Sequence, residues 1–180
     1  CLRGEPCPFL NLPPLPDAPA DVGTLLEATW DVALEEERTL CRLAELVYFA
    51  LEMGYERLGV AFCEELREPA GILANVLQRF FDVIAISCKA RGPGPVDGEA
   101  TEDSHNAPMN GKVPCDPRGV AAALNSAGTH LNVLVGYCVG ADSIFARSSE
   151  APVTTIFVKD KSLANNPIGA VYSHYHLDDI

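Results

Sequence analysis

The chain has 180 residues, 48% hydrophobic and 21% charged, with a formal net charge of −12. This is the profile of a folded domain with a substantial core, not of a disordered segment. The acidity argues against a nucleic-acid backbone as the main partner, which would need a basic face, and without an apolar run of membrane-span length no membrane role is expected.

The opening "CLRGEPCPFLNLPP" has no basic segment followed by an apolar one, so no secretory leader is read and a cytoplasmic location is expected. The chain starts at Cys1 instead of Met, and residues upstream of it are expected. Residues 1–23 hold six prolines and two cysteines, an extended or cysteine-anchored arm. Residues 24–53 then read as one helix, with Leu40, Leu43, Ala44, Val47 and Leu51 on one face and Gly54 closing it. "LGVAFC" (58–63) is a first strand, "PAGILANVLQRF" (69–80) a helix with Pro69 in its first turn, and "DVIAISC" (82–88) a second strand. The glycine- and proline-rich stretch 91–114 is too long for a simple connector. A helix follows with Asp116 as N-cap and Pro117 at its first position, then a third strand in "LNVLVGYC", a short helix in "ADSIFARSS" and a fourth strand over 153–160. "IGAVYS" (168–173) is a fifth strand or a tail.

Apolar strands that lack polar alternation and are separated by helices imply a parallel sheet covered on both faces. The expected fold class is therefore α/β, a Rossmann-like three-layer sandwich with a mainly parallel sheet of four to five strands. The expected organisation is an arm over 1–23 and a single α/β domain over 24–180.

Seven cysteines, an odd number spread through core-forming sequence, fit a disulfide framework poorly. Cys63, Cys88 and Cys138 each close a predicted strand, and strands of a parallel sheet end at one edge, where ligands bind. Cys115 enters from the same side, just ahead of a helix N-cap. Four thiolates suffice for zinc or an iron–sulfur cluster. The spacings of 25, 27 and 23 residues match no short metal motif, so this expectation rests on the fold. A single cysteine at the end of a buried strand is ordinarily a small core residue. Cys41 in "TLCRLAEL" falls beside the apolar helix face, where packing serves as well as ligation, and Cys1 and Cys7 form at most half of a metal knuckle.

The strand-to-helix turn "GYCVGADS" offers Gly136 and Gly140 for an anion, with Asp142 and Ser143 as caps or site groups, but it matches neither a Walker A pattern nor a dinucleotide fingerprint. Lys159, Asn165 and Asn166 follow the fourth strand and fall at the same edge, where Lys159 and Asn166 are candidate ligand contacts. His174 and His176 are two residues apart and read as part of a tail.

"CLRGEPCP", "MGYERLGVAFCEEL", "CDPRGVAAALNSAGTHLNVLVGYCVGADSIF" and "APVTTIFVKDKSLANNPIGAVYS" resemble the DUF1847 family, uncharacterised proteins often described as metal-binding and common in anaerobic bacteria and archaea. The resemblance implies a cysteine-rich N-terminal segment and cysteines at Cys63, Cys88, Cys115 and Cys138. It also implies a histidine where this chain has Ala141, and a Gly-His pair where it has Ala164 and Asn165.

The function expected from this reading is a metal-binding protein, with an iron–sulfur cluster first and structural zinc as the alternative, serving a redox partner protein or a small molecule. A thiol enzyme using Cys138 or Cys115 is the other alternative. Self-association into a homo-oligomer is left open.

Overall fold

The computed structural model describes residues 20–33, 39–89 and 115–175, and the chain divides into two compact units, residues 1–53 and 54–180. In the first unit, α1 spans Ala20–Ala33 and α2 spans Arg42–Glu52. The single helix expected over 24–53 is therefore two. The chain leaves helical geometry before Arg42, where Cys41 has extended backbone (φ −75, ψ 155) and serves as N-cap of α2. Cys41 is exposed there. The face that α2 buries is Leu46, Val47 and Ala50, at the one- and four-residue spacing of a helical stripe.

The second unit carries the sheet. β1 (Arg57–Phe62) leads through a 3-10 turn (Glu64–Leu66) into α3 (Arg67–Leu77) and then β2 (Asp82–Ser87). α4 (Pro117–Ser126) leads to β3 (Leu131–Val135), α5 (Val139–Ser148) to β4 (Val153–Phe157), and a short α6 (Ile168–Val171) follows. The stretch 168–173 is thus a helical turn, not a fifth strand. The strand order is β2-β1-β3-β4 and every pairing is parallel. The fold class is α/β with a parallel sheet of four strands among the described residues.

The order explains the layers. The step from β1 to β2 runs one way along the sheet, and the steps from β2 to β3 and from β3 to β4 run the other way. Right-handed crossovers then place α3 on one face and the mutually packed α4 and α5 on the other. The direction of winding reverses between β1 and β3, and the carboxyl ends of those strands are where an α/β sheet opens a binding crevice.

The α4–α5 side is closed by Ala61, Val120, Ala121, Leu124, Leu134 and Phe145, with Ile84 and Ile86 of β2 packed against them. The start of α4 forms as read. Asp116 is the N-cap, its carboxylate accepts the Gly119 N–H at 2.8 Å, and Pro117 occupies the first turn. No helix of the described residues is long and apolar enough to cross a membrane. The proposed loop 91–114 and nearly all of the arm 1–23, with Cys1 and Cys7, lie outside the described residues, as does His176.

Candidate functional site

Each strand stops slightly short of its cysteine. β1 ends at Phe62 and β2 at Ser87, so Cys63 and Cys88 are each the first residue past a strand. β3 ends at Val135, and Cys138 lies three residues on, as N-cap of α5. The chain leaves the sheet at Gly136, whose φ is +68 and where the Cβ of any other residue would collide with Leu66 Cδ1.

Strand parity and ladder contacts then bring thiols together. Cys63 continues the row that includes Ala61, and Cys88 the row of Ile84 and Ile86, so both enter the core beneath α4 and α5. The Cys63 N–H donates to Val135 O at 2.9 Å and the Cys88 N–H to Phe62 O at 2.7 Å. The Asp116 N–H donates to Cys88 O at 2.8 Å, which ties the start of α4 to the end of β2. Across that tie Cys88 Sγ and Cys115 Sγ meet at 3.3 Å, one buried and the other exposed.

Burial pushes the Cys88 thiol up to about 12, opposed by the Glu64 backbone N–H and reinforced by Cys115 and Cys63. Cys63 Sγ has a different neighbour: Lys159 Nζ donates to it at 3.1 Å and lies 3.0 Å from a Glu65 carboxylate oxygen. Burial pulls the Lys159 ammonium down, but the contacts with Cys63 and Glu65 outweigh it and hold its pKa above that of an ordinary lysine. Lys159 and then Lys161 hold the Glu65 carboxyl below its usual range.

Tyr137, which the sequence reading did not select, is buried in the same cluster as Cys63 and Cys88. It is 1% exposed, packs edge-on to Phe145, and its hydroxyl has no hydrogen-bond partner among the described residues. Burial raises its pKa, and the nearby Cys88, Cys115, Cys63 and Asp142 raise it further. One buried hydroxyl therefore feels three of the four predicted sulfurs. Asp142 has a second buried oxygen without a partner, and burial raises its carboxyl. The hint in the sequence was position: Tyr137 lies between the turn glycine and Cys138.

Cys138 is exposed and makes no side-chain capping bond, and it is not among the groups that shift Tyr137 or Cys88. No group of three or more His, Cys, Asp or Glu side chains among the described residues is spaced to hold a metal ion. The proposed ligand contacts are largely engaged elsewhere. The Gly136 N–H donates to Phe157 O at 2.7 Å, and Ser143 Oγ donates to Val139 O at 2.9 Å. Gly140 faces open space in the first turn of α5, and Asn166 is exposed. Asn165 serves its own loop, where its Oδ1 accepts the Asp160 N–H at 3.0 Å. His174 is exposed.

Two departures from the expected family pattern acquire a location. Ala141 is buried in the cluster that holds Cys63, Cys88 and Tyr137. Ala164 and Asn165 both have left-handed backbone, with φ of 52 and 64.

Comparison with known proteins identifies the family of the chain. The chain is 37% identical over 158 residues to an uncharacterised protein of Methanocaldococcus jannaschii, covering 88% of this chain and 77% of the relative. A solved N-acetyl-L-ornithine transcarbamylase structure, determined with carbamyl phosphate and N-succinyl-L-norvaline, aligns over 76% of this chain and 40% of its own, at 15% identity and a TM-score of 0.37. That likeness is too slight to carry an argument. A family model described as "Protein of unknown function (DUF1847)" matches residues 22–156, and the chain belongs to that family.

Proposed function

We propose that this protein binds a soft metal through thiolates at the carboxyl edge of its sheet, and serves there in electron transfer or in handling a small molecule. An iron–sulfur cluster is the first candidate and zinc the alternative. The observation that carries the reading is the 3.3 Å contact of Cys88 Sγ and Cys115 Sγ at the carboxyl edge, with Cys63 in the same buried cluster as Cys88.

The donor chemistry supports it, since an all-sulfur set favours zinc and iron–sulfur clusters over magnesium or calcium. So does the separation of the closest pair. Two sulfurs on one tetrahedral zinc, each about 2.3 Å from it, lie about 3.8 Å apart. The Cys88–Cys115 separation of 3.3 Å is a small adjustment away. Cys138 is the fourth sulfur in this reading, and its exposed side chain has to turn inward to contribute. The Tyr137 hydroxyl is a donor that orients and tunes a sulfur ligand, as outer-shell partners do.

The test is elemental analysis of protein prepared without oxygen. Stoichiometric iron and sulfide with visible colour supports a cluster, and one zinc per chain in colourless protein supports the alternative. Cys138→Ser replaces an exposed thiol by a hydroxyl, so it should fold and lose metal. A reduced chain that retains neither metal after reconstitution overturns the proposal.

A further inference from the structure

We propose that Cys88 and Cys115 form a dithiol–disulfide couple, with Cys115 as the attacking thiol and Cys88 as the resolving one. The geometry that points to it is independent of any metal. The two sulfurs are 3.3 Å apart in the reduced chain. Their backbones are tied by the Asp116 N–H to Cys88 O bond of 2.8 Å, which holds the two residues side by side. A disulfide needs Cα atoms within about 7 Å and a sulfur separation of about 2.05 Å. The backbone on each side is itself anchored, at Cys88 by its ladder bond to Phe62 and beside Cys115 by the cap of Asp116 on Gly119.

The difference in exposure assigns the roles. Cys115 is exposed and meets an incoming oxidant, while Cys88 is 1% exposed and is reached only by its neighbour. With a small disulfide as oxidant, the Cys115 thiolate attacks one sulfur, forming a mixed disulfide and releasing one thiol. Cys88 attacks the Cys115 sulfur and forms the protein disulfide, and the departing thiolate takes up the Cys88 proton and leaves as the second thiol. Two protein thiols are oxidised and one small disulfide is reduced to two thiols. Neither sulfur can then ligate a metal as a thiolate, so the bond competes with the site proposed above. It forms equally in a chain that binds no metal.

The experiment uses the full chain, reduced, stripped with a chelator and treated with oxidised glutathione, followed by acid quench and peptide mapping without reduction. The expected product is one intrachain Cys88–Cys115 link per chain, with two glutathiones released. In Cys88→Ala glutathione should remain on Cys115, the mixed disulfide living at least about 100-fold longer than in wild type, because a contacting thiol has a high effective molarity. In Cys115→Ser, a change at an exposed position, no link to Cys88 should form and Cys88 should stay a free thiol. Persistent glutathione on Cys115 of the wild type, or linkage only among other cysteines, overturns the inference. Metal content measured on the untreated reduced chain reports separately on the metal reading.

Discussion

Tyr137→Phe should stabilise the reduced, metal-free protein, which reverses the usual sign of a core Tyr→Phe change. The ring is 1% exposed and meets Phe145 edge-on at 5.9 Å, a contact that phenylalanine keeps. What is lost is a hydroxyl buried without a partner, and an unsatisfied group of this kind costs about 1–3 kcal/mol. A gain of about 1–2 kcal/mol is therefore expected, which for a chain of this size raises Tm by about 2–4 °C per kcal/mol. Urea and thermal unfolding followed by far-ultraviolet circular dichroism, with reductant and chelator present, reads it directly.

The metal-loaded protein should behave oppositely. There the hydroxyl donates to a ligating sulfur, so its removal should weaken zinc binding by about 10–100-fold. If the Tyr137→Phe variant is less stable than wild type by about 1 kcal/mol or more in the metal-free state, the hydroxyl already has a partner and the reasoning fails. Unchanged zinc affinity would sink its metal half alone.

Gly136→Ala should cost about 2–3 kcal/mol, from left-handed backbone and from forcing Leu66 aside. Adding Leu66→Ala should restore only the steric share, which a urea-unfolding double-mutant cycle would isolate. Ala164→Gly should stabilise by about 0.5–1 kcal/mol, because φ of 52 strains alanine more than the added glycine loosens the unfolded chain; loss of stability on denaturant unfolding would refute this. For alkaline pH the sign is the same for three groups. Cys88, raised from its ordinary 9 to about 12, Tyr137 and Lys159 all hold their protons more tightly when folded. Their contribution is present below about pH 9 and lost as pH rises toward 12, so unfolding free energy should fall over that window in chelated, reduced protein. A flat profile there would contradict it.

The parallel sheet was legible because β1 and β3 are almost wholly buried and, Arg57 and the buried Asn132 apart, built of apolar residues and glycine without polar alternation, a pattern that antiparallel half-exposed strands do not give. The start of α4 was legible because capping is local: Asp116 needs only the N–H three residues on. Local patterns failed where a backbone angle or a distant neighbour decides. The apparent strand "LNVLVGYC" stops at Val135, where its register with β4 slips and Gly136 turns away. "IGAVYS" has strand composition but lies in a helical turn, and the long helix before Gly54 is two.

The candidate site divides the same way. The order of residues alone pointed Cys63, Cys88 and Cys138 to strand ends on one edge, with Cys115 entering from the same side, because parallel strands share their carboxyl ends. It could not determine which sulfurs touch. Only the tertiary structure decided that Cys88 pairs with Cys115 through the bond to Asp116, that Lys159 reaches Cys63, that Cys138 faces outward, and that an unselected tyrosine stands among the thiols. Those outcomes depend on strand order and on the end of each strand to within one residue. Both are set by packing between segments far apart in the chain, which no local pattern of residues encodes.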